Sequence, residues 1–143
     1  MASFTITPIP VDGSPNQQAM VPDGSRIYVT HIRTSTSAIS NVVSVIDTTQ
    51  NAVVAEINLD SPAHFITVSP DGAQLYVSHF TEQKLSVVAT ISNAVVTVPL
   101  PDPPLLLAVT PDGGHLYVAG TTRLSLSSLR VSIPCDTEMT RTP

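Results

Sequence analysis

The chain has 143 residues, 42% of them hydrophobic and 12% charged, and its net charge at pH 7 is −5. This length suits one domain, and few charges beside many β-branched residues argue against a disordered protein. The six Lys and Arg residues are scattered along the sequence, so neither nucleic acid nor an anionic membrane surface is a predicted partner.

Signals for targeting and cross-linking are weak. The N-terminus has neither the basic region nor the long apolar region of a signal peptide. No apolar run approaches the roughly 18 residues of a membrane helix. The single cysteine, Cys135, cannot close a disulfide within the chain. The sequence therefore predicts a soluble chain without a membrane span, and it leaves the compartment open.

The first predicted element is a strand over residues 3–11, "SFTITPIPV", which matches the last strand of the repeat that follows. The repeat is marked by Pro-Asp-Gly motifs that begin at Pro22, Pro70 and Pro111, each followed at one offset by Tyr-Val. The sequence thus divides into units of approximately 22–69, 70–110 and 111–133, with an irregular tail over 134–143. All of them are assigned to one domain, 1–143.

Each unit predicts four short strands, A to D. Strand A is the apolar run before Pro-Asp-Gly, which is a turn signal because Pro presets φ and Gly accepts positive φ. Strand B carries Tyr-Val, and strands C and D are separated by a second turn that contains Asn. Four strands per unit, often apolar on both faces, are typical of a β-propeller blade covered by neighbours. The alternative, a β-sandwich, gives no reason for a repeat of this period.

The stretches "PDG", "YVTH", "VVSVIDTTQNAVVAEINL" and "SPAHFITVSPDG" resemble the YVTN-type β-propeller repeat of surface-layer-like bacterial and archaeal proteins. The resemblance spans roughly residues 15–119 and implies an all-β propeller of a family whose members are often exported. The Asn that usually ends the motif is replaced by His31 and His79. Asp47 of the first unit becomes Ala89 in the second.

About three blades are predicted, with strand C of the third over 123–129 and an apolar trace of its strand D at Val131 and Ile133. Propellers usually close with four to eight blades. The chain is therefore a piece of a longer propeller, half of a six-bladed ring formed by a homodimer, or an open array. In the homodimer, strand 3–11 of one copy would complete the last blade of the other.

Histidines and carboxylates are predicted at one rim of the blades. His31 and His79 end strand B, His64 begins strand A, and Asp60 and Asp102 lie in the loops between strands D and A. In one interpretation, His64 with Asp60 or Asp102 binds a metal or a small ligand. In the other, His31 and His79 form hydrogen bonds within their own blades and His64 packs where two blades meet.

Motifs for catalysis are missing from the sequence, which has no metal-ligand spacing, phosphate loop or nucleophile elbow. We therefore assign no catalytic residue, metal or cofactor. The predicted function is a non-catalytic binding or scaffold module for a protein, glycan or small ligand. The alternatives are a lactonase-like or quinone-dependent dehydrogenase-like enzyme, which rests on fold analogy alone, and an inactive fragment of a longer propeller.

Overall fold

The computed structural model describes residues 3–33 and 35–120, together with the backbone of 126–129. In these ranges every regular element is a β-strand, and none is a helix that could cross a membrane. The strands are β1 Ser14–Met20, β2 Arg26–Ile32, β3 Ile39–Asp47, β4 Ala52–Asn58, β5 Ile66–Val68, β6 Gln74–His79, β7 Lys84–Ala89, β8 Val95–Pro99, β9 Pro104–Val109, β10 Leu116–Gly120 and β11 Leu126–Leu129.

The strands form consecutive antiparallel sheets, which we number as blades. The first blade has the order β1-β2-β3-β4 and the second the order β5-β6-β7-β8. In the third, β9, β10 and β11 lie side by side within the described residues. The blade of four antiparallel strands is thus confirmed. The predicted strand D at Val131 and Ile133, Cys135 and the tail 134–143 lie outside the described residues.

The N-terminal prediction needs a correction, because residues 3–11 form no strand. Phe4 and Ile6 of this segment are 92% and 90% exposed. The first blade already has four strands of its own, and its strand A is β1, the polar segment "SPNQQAM". Pairing with β2, in which Ala19 lies opposite Tyr28, holds β1 in the sheet. Each sequence unit therefore begins at strand B and is offset by one strand from the blade.

Both predicted turns have the expected backbone. Gly24, Gly72 and Gly113 of the Pro-Asp-Gly motifs have φ values of 76°, 74° and 71°, which favour glycine. In each motif the Asp Oδ1 accepts a hydrogen bond of 2.8–3.1 Å from the backbone N–H two residues further on. The C–D turns place Asn51 and Asn93 at φ values of 51° and 60°. These aspartates and asparagines are therefore explained by turn formation.

The second blade is covered on both faces by its neighbours. In β6, Leu75 and Val77 pack in an apolar cluster with the first blade, whereas Tyr76 packs in a second cluster with the third blade. Successive residues of a strand point to opposite faces of the sheet, so one strand contributes to both clusters. This stacking explains why the strands are apolar on both faces. The loops that connect the strands lie at the two opposite edges of the stacked blades.

Candidate functional site

The predicted rim residues lie at the edge formed by the B–C and D–A loops, which we call the histidine edge. His31 and His79 occupy equivalent positions in β2 and β6 and are 2% and 0% exposed. The Nε2 of His31 lies 2.8 Å from Oγ of Ser44, and the Nε2 of His79 lies 2.6 Å from Oγ of Ser86. Each serine is on strand C of the same blade. The predicted hydrogen bonds within the blades are therefore present.

The two histidines differ at their second nitrogen. The Nδ1 of His79 lies 2.8 Å from the carbonyl oxygen of Pro62, whereas the Nδ1 of His31 is buried without a hydrogen-bond partner in the described part of the chain. The Pro62 carbonyl, as an acceptor, places the proton of a neutral His79 on Nδ1, so that Nε2 accepts from the serine hydroxyl. Burial lowers the pKa of both histidines, because a charged ring is costly in an apolar core.

His64 lies just before β5 and is half-buried. Its Nδ1 accepts a 3.2 Å hydrogen bond from the backbone N–H of Phe80, and the two rings are 5.7 Å apart. Burial lowers the pKa of His64. An Nδ1 that accepts a hydrogen bond also belongs to a neutral ring with its proton on Nε2. His64 therefore fixes the B–C loop of its own blade.

The carboxylates of the histidine edge have different surroundings. Asp60 is exposed, and its Oδ1 lies 2.9 Å from Nζ of Lys84, which also lies 3.4 Å from Glu82. The hydrogen bond from Lys84 lowers the pKa of Asp60. Asp102 lies in the third blade against Gly120, which occupies the position that His79 has in the second. The sequence prediction missed Lys84, which stands at the start of strand C where the first unit has Val42.

The structure brings only some of the predicted residues together. Burial has the largest effect on the pKa of both buried histidines. Nearby Asp60 raises and nearby His64 lowers the pKa of His79, whereas Asp12 and Glu56 raise that of His31. Among the described residues, no group of three His, Cys, Asp or Glu side chains is arranged to hold a metal ion. The histidine edge thus contains separate hydrogen-bonded His–Ser pairs, one in the first blade and one in the second.

The opposite edge, which we call the turn edge, carries the Pro-Asp-Gly and C–D turns and was assigned only a structural role from the sequence. Between the first and second blades it contains an open cleft of about 520 Å³. Arg26, Tyr28, Asp47 and Thr90 line this cleft together with both neighbouring Pro-Asp-Gly turns. The one feature of the sequence that could have pointed to this cleft is Arg26, which stands at the start of strand B where the second unit has Gln74.

Comparison with known proteins supports the fold of the chain but assigns it no function. No family profile matches the chain, and no curated protein does. Among solved structures, the chain is similar to Kuenenia stuttgartiensis hydrazine synthase, a protein that contains β-propeller domains, at 26% identity and a TM-score of 0.68. The match covers 81% of this chain and 34% of that chain. Together with the stacked four-stranded sheets, it defines an all-β protein built of propeller blades.

Proposed function

We propose that the chain is a non-catalytic binding or scaffold module of YVTN-type propeller blades, which presents its edges to a protein, glycan or small ligand. The observation that carries this proposal is the repeated bond of His31 to Ser44 and of His79 to Ser86. These are the side chains most suited to acid–base chemistry, and both are buried inside their blades. Their positions support a role in blade architecture.

Divalent metals and lactones test this role directly. We expect no change in the melting temperature with Ca²⁺, Zn²⁺ or Mg²⁺, and no lactone hydrolysis above the buffer rate. The matched variants are His64→Ala, at the half-buried histidine, and Asp60→Asn, at the exposed carboxylate. A metal-dependent rise in melting temperature, or lactone turnover, that disappears in either variant would contradict the non-catalytic proposal.

We also propose that a second copy of the chain packs against the third blade. The tyrosines of the three motifs point successively toward the next blade: Tyr28 packs toward the second and Tyr76 toward the third, and both are buried. Tyr117 lies on the face of the third blade away from the second and is 37% exposed, beside Leu106 at 53%. An apolar face of this kind is covered by another blade in a propeller.

The mass in solution tests this association. Light scattering should give twice the 15.1 kDa of one chain, and Tyr117→Arg should shift the protein to a monomer because it places a charge in the contact. Phe80→Arg, at a surface residue of the histidine edge that is 38% exposed, is the matched control and should remain a dimer. A monomeric unmodified protein would refute the homodimer and leave a further blade of a longer chain as the partner.

A further inference from the structure

The cleft at the turn edge contains a buried hydroxyl without a partner. Tyr28 is 0% exposed, its side chain lines the cleft, and its hydroxyl makes no hydrogen bond within the residues that the structure describes. In the second blade the equivalent hydroxyl, that of Tyr76, donates a 2.5 Å hydrogen bond to Oε1 of Gln74. Because a buried hydroxyl without a partner is costly, the difference between the two blades calls for an explanation.

Arg26 is the origin of this difference. It stands where the second blade has Gln74, and a guanidinium has no acceptor for a tyrosine hydroxyl. Its Nη1 instead donates a 3.2 Å hydrogen bond to the carbonyl oxygen of Thr90 in the second blade. Arg26, in place of Gln, therefore bridges the two blades at the cleft, and the hydroxyl of Tyr28, which lines the cleft, has no partner in the described residues.

The charge of the cleft is negative. Asp23, Asp47 and Asp71 line it together with Arg26, so three carboxylates face one guanidinium. Asp23 and Asp47 are held ionised, since hydrogen bonds from the turns that follow them lower the pKa of each carboxyl. A net negative cleft attracts a cation, and carboxylates and a tyrosine hydroxyl can all accept hydrogen bonds.

The chemistry of the cleft favours an organic cation over a metal ion. The described residues contain no cluster of three ligands arranged for a metal, whereas a guanidinium carries five N–H donors that can reach separated acceptors. Val21, Pro22 and Ile91 add apolar surface to the lining, which suits a short alkyl chain. A volume of about 520 Å³ lies within the usual range for a small-molecule site.

We propose that this cleft binds an organic cation that carries a guanidinium or ammonium group on a short alkyl chain. The carboxylates of Asp23 and Asp47 hold the charge, and the Tyr28 hydroxyl accepts one N–H. The proposal rests on the binding role inferred above and gives that role a site and a class of ligand. Arg26 fixes the two walls of the cleft through its bond to Thr90.

Calorimetric titration of the full chain with agmatine, which has both cationic groups, tests the proposal. We expect one site per chain, with an affinity that falls as NaCl is raised. Tyr28→Phe and Asp47→Asn should each weaken binding by about tenfold or more, the loss expected for one hydrogen bond to a charged group. Asn at position 47 keeps an Oδ1 that can accept from the turn, so this variant should stay folded.

Matched controls come from the second blade and the opposite edge. Tyr76→Phe removes a tyrosine hydroxyl away from the cleft, and Asp60→Asn removes a carboxylate at the histidine edge; both should bind agmatine as the unmodified chain does. The proposal would be overturned if agmatine does not bind, or if Tyr28→Phe and Asp47→Asn bind agmatine as tightly as the unmodified chain does. It would also be overturned if glucose displaces agmatine. If glucose binds equally well to the unmodified chain and to Asp47→Asn, the cation site is wrong but the proposed binding role is still supported.

Discussion

The Nε2 of His79 lies 2.6 Å from Oγ of Ser86, on the neighbouring strand of the same blade, and neither residue is accessible to solvent. The same pair recurs in the first blade as His31 and Ser44. The register of the strands explains the recurrence, since Val77 lies opposite Ser86 and Val29 opposite Ser44. The histidine that ends strand B therefore cross-links strands B and C in the first and second blades.

Removal of the serine hydroxyl tests this cross-link. Ser86→Ala leaves a buried imidazole nitrogen without a partner, so we expect the free energy of unfolding to fall by about 1–3 kcal/mol. Ser14→Ala, at an exposed serine of β1, should change it by less than about 0.5 kcal/mol. Urea denaturation measures both values. Equal effects in the two variants would mean that the His79 hydrogen bond contributes nothing to stability.

The histidines also predict how stability depends on pH. Burial holds the pKa of His31, His64 and His79 below the ordinary value in the folded chain. The unfolded chain therefore binds protons first as the pH falls through about 6.5, and the free energy of unfolding decreases from there until the folded histidines also titrate. The slope is at most about 1.4 kcal/mol per pH unit for each histidine.

Replacement of His31 and His79 by Asn, the residue of the YVTN motif, isolates this effect. The double variant His31→Asn, His79→Asn should lose less stability between pH 7 and pH 5 than the unmodified chain, because only His64 of the three remains to titrate. Urea denaturation at several pH values gives both curves. A free energy of unfolding that increases as the pH falls below 6.5 would contradict the assignment of neutral buried histidines.

The blades could be predicted from the sequence because their signals are local. Pro-Asp-Gly fixes one turn, Asn the other, and the apolar runs between them match the buried strands. The strand β1 could not be found in this way, since "SPNQQAM" has no apolar pattern and is held in place by pairing with β2. Residues 3–11 carry the alternation of a strand, but no neighbour in the described chain pairs with them.

The candidate sites were predicted less well, because they depend on contacts between distant residues. The sequence placed His31 and His79 at equivalent positions, and their repeated role follows from the repeat itself. The sequence did not predict that Lys84 pairs with Asp60. Nor did it show that Arg26 bridges to Thr90, 64 residues away. Such pairs are set by how blades stack, which no local pattern records.

The third blade departs from the histidine pattern at Gly120, and the departure is explained by Asp102. A Cβ built on Gly120 would lie 2.9 Å from Cβ of Asp102, which is closer than carbon atoms pack. Gly120→Ala should therefore lower the free energy of unfolding by about 1–3 kcal/mol. The double variant Asp102→Gly, Gly120→Ala should recover much of this loss, because the opposing Cβ is gone. A double-mutant cycle without coupling would contradict the contact.

Gln83 marks a strained turn between β6 and β7. Its φ is 50°, a left-handed conformation that is costly for most residues because Cβ lies too close to the following carbonyl oxygen. Gln83→Gly should raise the free energy of unfolding by up to about 1 kcal/mol, since glycine adopts this φ without strain. Asn93→Gly is the matched control at a φ of 60° and should gain less, because Asn tolerates this region. A larger gain at Asn93 would contradict the interpretation.

The unequal surroundings of Tyr28 and Tyr76 give a test that needs no ligand. Tyr76→Phe removes a hydroxyl that donates to Gln74, so the free energy of unfolding should fall by about 1 kcal/mol. Tyr28→Phe removes a buried hydroxyl without a partner in the described residues, so stability should stay the same or increase. Arg26→Gln, which gives the first blade the pair found in the second, should make Tyr28→Phe as costly as Tyr76→Phe. If Tyr28→Phe alone already destabilises the chain like Tyr76→Phe, the Tyr28 hydroxyl has a partner and is not held free by Arg26.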